Sequence, residues 1–162
     1  MNAYKNIVFS VLTLLPIYTA IPAELKSLSD MYEKTPDRLI ADISETEYLV
    51  HRCAALYTAI GAVYTNDGKN YADERSRESA RLGHDLMQRA DAYITISLKL
   101  ASKTGRTESS VIDRLRLLTD EYSRIFDRNR ELTNDGTSGL IGADLETCKD
   151  IGKFARNIVK KR

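Results

Sequence analysis

The sequence predicts an all-α fold: an antiparallel bundle of four main helices with a short extra helix ahead of them, tied by one inter-helix disulfide. Three observations lead there. No proline lies beyond Pro36, so nothing after that point forbids long helices. Apolar residues recur at steps of three and four through successive segments, the spacing that gathers them on one helical face. Cys53 and Cys148 each fall on such a face.

A segment of a different kind precedes the bundle. Lys5 gives a positive start, Ile7 to Ile17 is almost wholly apolar, and Pro16 and Pro22 break the run. Ala20 and Ala23 supply the small residues a signal peptidase requires. Together these read as a secretory signal peptide over residues 1–23, cut after Ala23. The apolar run is shorter than the ~20 residues that span a bilayer, so no stable membrane insertion is expected after cleavage. Left uncut, the same segment is an anchor facing the same compartment. Residues 24–162 then form a single helical-bundle domain of ordinary size.

The chain has 24 Lys and Arg against 23 Asp and Glu. Removing Lys5 with the tag balances them, which leaves no basic face for nucleic acid. Lys160, Lys161 and Arg162 are the one local excess. They suit the negative end of a helix dipole and are too few for firm attachment to an anionic membrane. An even cysteine count in an exported chain points to a disulfide. Cys53–Cys148 would close a loop of about 95 residues, worth about 4–5 kcal/mol in the chain-entropy description. No cysteine lies near Ala23, as a lipid-modified export would need.

The elements follow in order. Glu24 to Glu33 is a weak lead-in helix. Thr35-Pro36-Asp37 offers a cap, a first-turn proline and a first-turn acid, starting a helix that runs to about Tyr64. In its second half Leu49, Cys53, Leu56, Ile60 and Val63 form a stripe, flanked by Ala54, Ala55, Ala59, Gly61 and Ala62. A helix apolar nearly all round is a buried hub. The third helix spans about Asn70 to Lys103, with Leu82, Leu86, Ala90, Ile94, Leu98 and Ala101 inward and Tyr93 and Leu100 widening that face. Ala92 to Leu100 also alternates like a strand, but no turn residues bound it. Gly105 ends this helix and Thr107 caps the next. The fourth, about Glu108 to Leu132, turns Val111, Leu115, Leu118, Tyr122 and Ile125 inward, with Asn129 and Leu132 continuing the stripe. The last, about Ala143 to Lys160, points Leu145, Cys148, Ile151, Ala155 and Ile158 inward, with Phe154 alongside.

Thr-Asn-Asp-Gly occurs at Thr65–Gly68 and again at Thr133–Gly136. Calcium loops carry Asp-Gly, but aligning Gly136 puts Glu131 and Thr133 at the first ligand positions and Gly142 where a bidentate Glu belongs, and the Gly68 frame starts at Val63. Helix termination explains both copies. His51 and Cys53, two apart, point about 200° away from each other and cannot cooperate. Glu47 and His51 share a face, but the Glu-x-x-His of a di-iron bundle is absent. Zinc between His51, His84 and a carboxylate is the remaining metal arrangement, and ordinary boundary histidines account for both residues more simply. No serine stands in Gly-x-Ser-x-Gly. Gly136, Gly139 and Gly142 follow no strand, so they read as a flexible connection. Glu74 and Glu78 alternate with Arg77 and Arg81 as a solvated face.

In layout, an early-helix cysteine paired with a last-helix one, the chain resembles the small helical proteins that Gram-negative bacteria export. The resemblance transfers no functional residue. What remains is Tyr57, Tyr64 and Tyr71, spaced by sevens, whose rings suit either the rim of the core or a contact surface. The expectation is therefore an exported module, periplasmic or secreted, that binds another exported or envelope protein. It has no catalytic residue, resident metal or cofactor. The alternative is a small-ligand or metal-binding bundle using Tyr57, Tyr64, His51 and His84.

Overall fold

The computed structural model describes residues 25–32, 42–68 and 73–160. The expected signal peptide, Thr35-Pro36-Asp37, Tyr71, Lys161 and Arg162 lie outside them, as do the side chains of Ala155 and Ile158. The described residues form α1 (Leu28–Tyr32), α2 (Ile43–Asp67), α3 (Glu74–Lys103), α4 (Glu108–Thr133) and α5 (Leu140–Lys160). The four long helices pack together, with α2 touching α3, α4 and α5. The expected bundle and hub are both present.

Local chemistry sets the helix boundaries. α2 starts at Ile43, later than Pro36, because Asp42 is extended and its carboxylate accepts the amides of Ser44 at 2.8 Å and Glu45 at 3.2 Å. Asp42 with Glu45 three residues on is a capping-box pattern. Asp73 likewise caps α3 through Ser76, so that helix begins at Glu74 rather than Asn70. Thr107 caps α4 through Ser110, as its sequence predicts. Gly105 and Gly139 take positive φ at the two following turns, where a side chain would be strained. After Gly139, α5 begins at Leu140, ahead of Ala143.

The two Thr-Asn-Asp-Gly segments both end helices, by different geometry. Asn134 adopts the left-handed conformation and donates its amide to Arg130, whereas Gly68 stays right-handed beyond Asp67. Asn129 serves the second turn, its side-chain amide donating to the Ser138 carbonyl at 2.8 Å. Leu132, expected to continue the α4 stripe, is exposed there.

Every residue from Leu49 to Tyr57 is buried, so the middle of α2 is enclosed on all sides. The inner face of α3 holds the expected Leu86, Ala90, Tyr93, Leu100 and Ala101, with Ile94 and Leu98 half-buried beside it, and departs from the expected stripe at its start. Gly83, Ile96 and Ser97 are buried there as well, while Leu82 is 41% exposed. The cause is size. A Cβ on Gly83 would lie 2.6 Å from the Thr65 backbone nitrogen, so α3 turns its small residues to α2 and moves Leu82 to the edge. Gly83→Ala is therefore expected to cost about 1–3 kcal/mol by overpacking, read as a lower urea midpoint with unchanged helical circular dichroism.

Cys53 and Cys148 join α2 to α5, with sulfur atoms 2.02 Å apart and Cα atoms 5.6 Å apart. Both cysteines are fully buried. No helix among the described residues is long and apolar enough to cross a membrane.

Candidate functional site

Two buried polar clusters and one surface groove hold the chemistry of the described residues. The first cluster is built on Arg52, which projects from the middle of α2 and is wholly buried. Its guanidinium donates to Asp144 at 2.6 Å, twice to the Tyr122 hydroxyl at 2.9 and 2.7 Å, and to the Lys26 carbonyl at 2.5 Å. The Tyr122 hydroxyl donates to the same Asp144 oxygen at 2.6 Å. Burial is the main force holding that hydroxyl well above the usual phenol range, so it keeps its proton and serves as donor. The other Asp144 oxygen accepts the Leu28 amide at 2.7 Å. Arg52 and Asp144 thus grip the backbone of the segment carrying α1, while Leu28 is buried in the core. Every charged group here has a partner, and the cluster ties α2, α4 and α5 to the segment carrying α1.

The second cluster surrounds His51. Its Nδ1 lies 2.7 Å from the Glu47 carbonyl, an acceptor only, so Nδ1 carries the proton. Nε2 is buried with no hydrogen-bond partner among the described residues. The Glu47 carboxylate, also buried, accepts from the Thr104 hydroxyl at 2.9 Å and lies 3.5 Å from Arg106. Burial lowers the His51 pKa, with Arg114 and Arg106 acting in the same direction and Glu47 opposing. The sign follows: between the unfolded and folded pKa values the unfolded chain binds the extra proton, so stability falls as pH drops below about 6.5 toward the folded value. Thermal midpoints measured from about pH 7 to about pH 5 should show this fall, and His51→Leu should flatten it.

His84 lies elsewhere. It is exposed on α3 and 2.9 Å from Gln88. Among the described residues no group of three or more His, Cys, Asp or Glu side chains is placed to hold a metal ion. The structure does not bring His51 and His84 into one site.

The groove runs between α3 and α5. Tyr57, only 2% exposed, forms its floor with Tyr93, the two ring centroids 5.6 Å apart. Ala92 and Ile96 complete one wall, and Gly152 keeps the other low. A side chain at Gly152 would collide with the Tyr93 hydroxyl, which donates to the Cys148 carbonyl. Three cations ring the opening of this cavity of about 330 Å³: Arg89, Lys149 and Arg156. Arg89 stands 6.0 Å over the Tyr57 ring, within cation–π range. Lys149 is paired with Glu146 at 2.7 Å. The groove continues past Leu86, Leu82 and Leu145 toward Asp85 and Glu146. Tyr64 lines a neighbouring depression beyond Leu82, with Arg75 and Arg81.

Tyr57 and Tyr64, both on α2, line separate depressions beside α3 and do not share a pocket. Sequence reasoning missed the cations. Lys149 and Arg156 are seven residues apart, two helical turns, and Arg89 and Tyr93 are four apart. Those spacings align them, but α3 and α5 are paired only by the fold. No protein-family model, curated protein or solved structure matches the chain.

Proposed function

We propose that the protein is an exported helical module, periplasmic or secreted, that acts by binding another exported or envelope protein and performs no catalysis. The α3–α5 groove is the contact surface. The observation that carries this reading is the groove itself: an aromatic floor beside exposed Leu82, rimmed by polar side chains, the composition of a protein-contact patch. The joined cysteines accord with an oxidising compartment, and a bundle tied at its centre presents the groove without reorganisation.

The test is in the cell of origin. A photo-crosslinking residue at Ala92, inside the groove, should yield one discrete adduct in the envelope or extracellular fraction, and the same residue at Asp113 on α4 should not. N-terminal sequencing of the recovered protein should begin at Glu24. Recovery in the cytosol with residue 1 intact, or equal crosslinking from both positions, would overturn the reading. The cavity also reaches the lower end of small-ligand pocket sizes. Native mass spectrometry showing a retained small molecule lost on Gly152→Leu would favour that second reading.

A further inference from the structure

The groove carries a charge pattern that specifies what it receives. Arg89 and Arg156 lie on opposite walls, and both stand close enough to Tyr93 to act electrostatically on its hydroxyl. Neither has a carboxylate within ion-pair distance among the described residues. The Arg156 Nε donates to the Gly152 carbonyl at 3.0 Å, which steadies the side chain and leaves both terminal nitrogens of its guanidinium without a hydrogen bond among the described residues. Arg89 is held over Tyr57 by its ring contact. Two guanidiniums facing one aromatic floor are a fork for a carboxylate attached to an apolar body.

The polarity reverses along the groove. Beyond Lys149 the lining passes to Leu82, Leu86 and Leu145, with Asp85 and Glu146 at that end. From Ile96 to Leu82 the α3 wall is about 20 Å long at the helical rise. This length exceeds a single amino acid and suits a short peptide segment. Its own charges make such a segment directional, with acid at the Arg156 end and apolar side chains toward Leu82.

We propose that the groove receives an acidic, amphipathic peptide segment of the partner protein, seating a carboxylate between Arg89 and Arg156 and apolar side chains on Tyr57 and the leucines beyond it. This rests on the reading of the groove as the contact surface. A lone fatty carboxylate has the same head chemistry, and competition by decanoate distinguishes it.

The experiment uses the disulfide-intact protein and fluorescence anisotropy with two labelled probes: an amphipathic peptide of Glu and Leu, and its Lys and Leu counterpart. The Glu peptide should bind. Binding should weaken about tenfold or more in Arg89→Glu/Arg156→Glu, and again as salt rises from about 50 mM to about 500 mM. The Lys peptide should not bind, and Arg116→Glu on α4 should change nothing. Equal binding of both peptides, or of the Glu peptide to the wild type and the double variant, overturns the proposal. So does displacement of the Glu peptide by decanoate at equal concentration, which would identify a free amphiphile as the occupant. Circular dichroism and thermal midpoint establish that the double variant is folded, and Arg89→Gln/Arg156→Gln, which carries no reversed charge, should give a smaller loss. The outcomes separate this proposal from the broader function. If crosslinking at Ala92 captures a partner equally in wild type and Arg89→Glu/Arg156→Glu, the contact surface stands and its acidic preference fails. If the Glu peptide binds as stated but no partner is captured, the groove chemistry stands and the proposed function fails.

Discussion

Asp144→Ala is expected to destabilise the protein by about 3–5 kcal/mol, the cost of leaving a buried arginine without its partner. Arg52 has no exposure, so water cannot replace the lost carboxylate. The substitution also removes the acceptors of the Tyr122 hydroxyl and the Leu28 amide. Against a typical net stability of 5–15 kcal/mol, this is a large fraction, with a fall in Tm on the order of 10 °C. The paired change Arg52→Met/Asp144→Leu should recover much of the loss, because it removes both charges and fills their volume. Tyr122→Phe should cost less, about 1–3 kcal/mol, since the ion pair survives. Urea unfolding of the three variants checks the order. Equal losses for the single and paired changes would refute the assignment of the cost to the unpaired charge.

Removing the Cys53–Cys148 bond is expected to cost a comparable amount by a different route. The bond closes a sequence separation of 95 residues, which in the chain-entropy description stabilises by about 4–5 kcal/mol through the unfolded state. Cys53→Ala/Cys148→Ala should therefore unfold at lower urea, and added reductant should not shift it further. Because both cysteines are wholly buried, reductant reaches the bond in the native protein only through opening. The wild-type reduction rate should rise steeply with urea, in step with unfolding. Reduction at a urea-independent rate would show that the bond is reached without opening.

Periodicity carried most of the fold into view. The α2 stripe of Leu49, Cys53, Leu56 and Ile60 is the core, and the cysteines on two inner faces located the disulfide. Only the start of the α3 face was misread, because apolar scoring rewards Leu82 and ignores Gly83. Close approach reverses that preference, since Gly83 touches α2 while Leu82 faces outward. The buried polar cluster left one legible trace: Arg52 interrupts the most apolar stretch of the domain, and a charge there needs a partner. Asp144 could not be named from the sequence, because many carboxylates lie at plausible spacings and only the fold selects one. For the groove, Tyr57 was visible, whereas Arg89 and Arg156 belong to helices whose apposition no local pattern encodes.

The hold of Asp144 on the Leu28 amide also bears on biosynthesis. A polypeptide leaves the ribosome amino end first, so Leu28 emerges 116 residues ahead of Asp144, the carboxylate that holds it. Cys148 arrives later still. The native arrangement cannot close progressively during synthesis. It waits for the carboxyl-terminal helix, so an early stop codon ahead of Asp144 should release a chain that chaperones hold and proteases degrade.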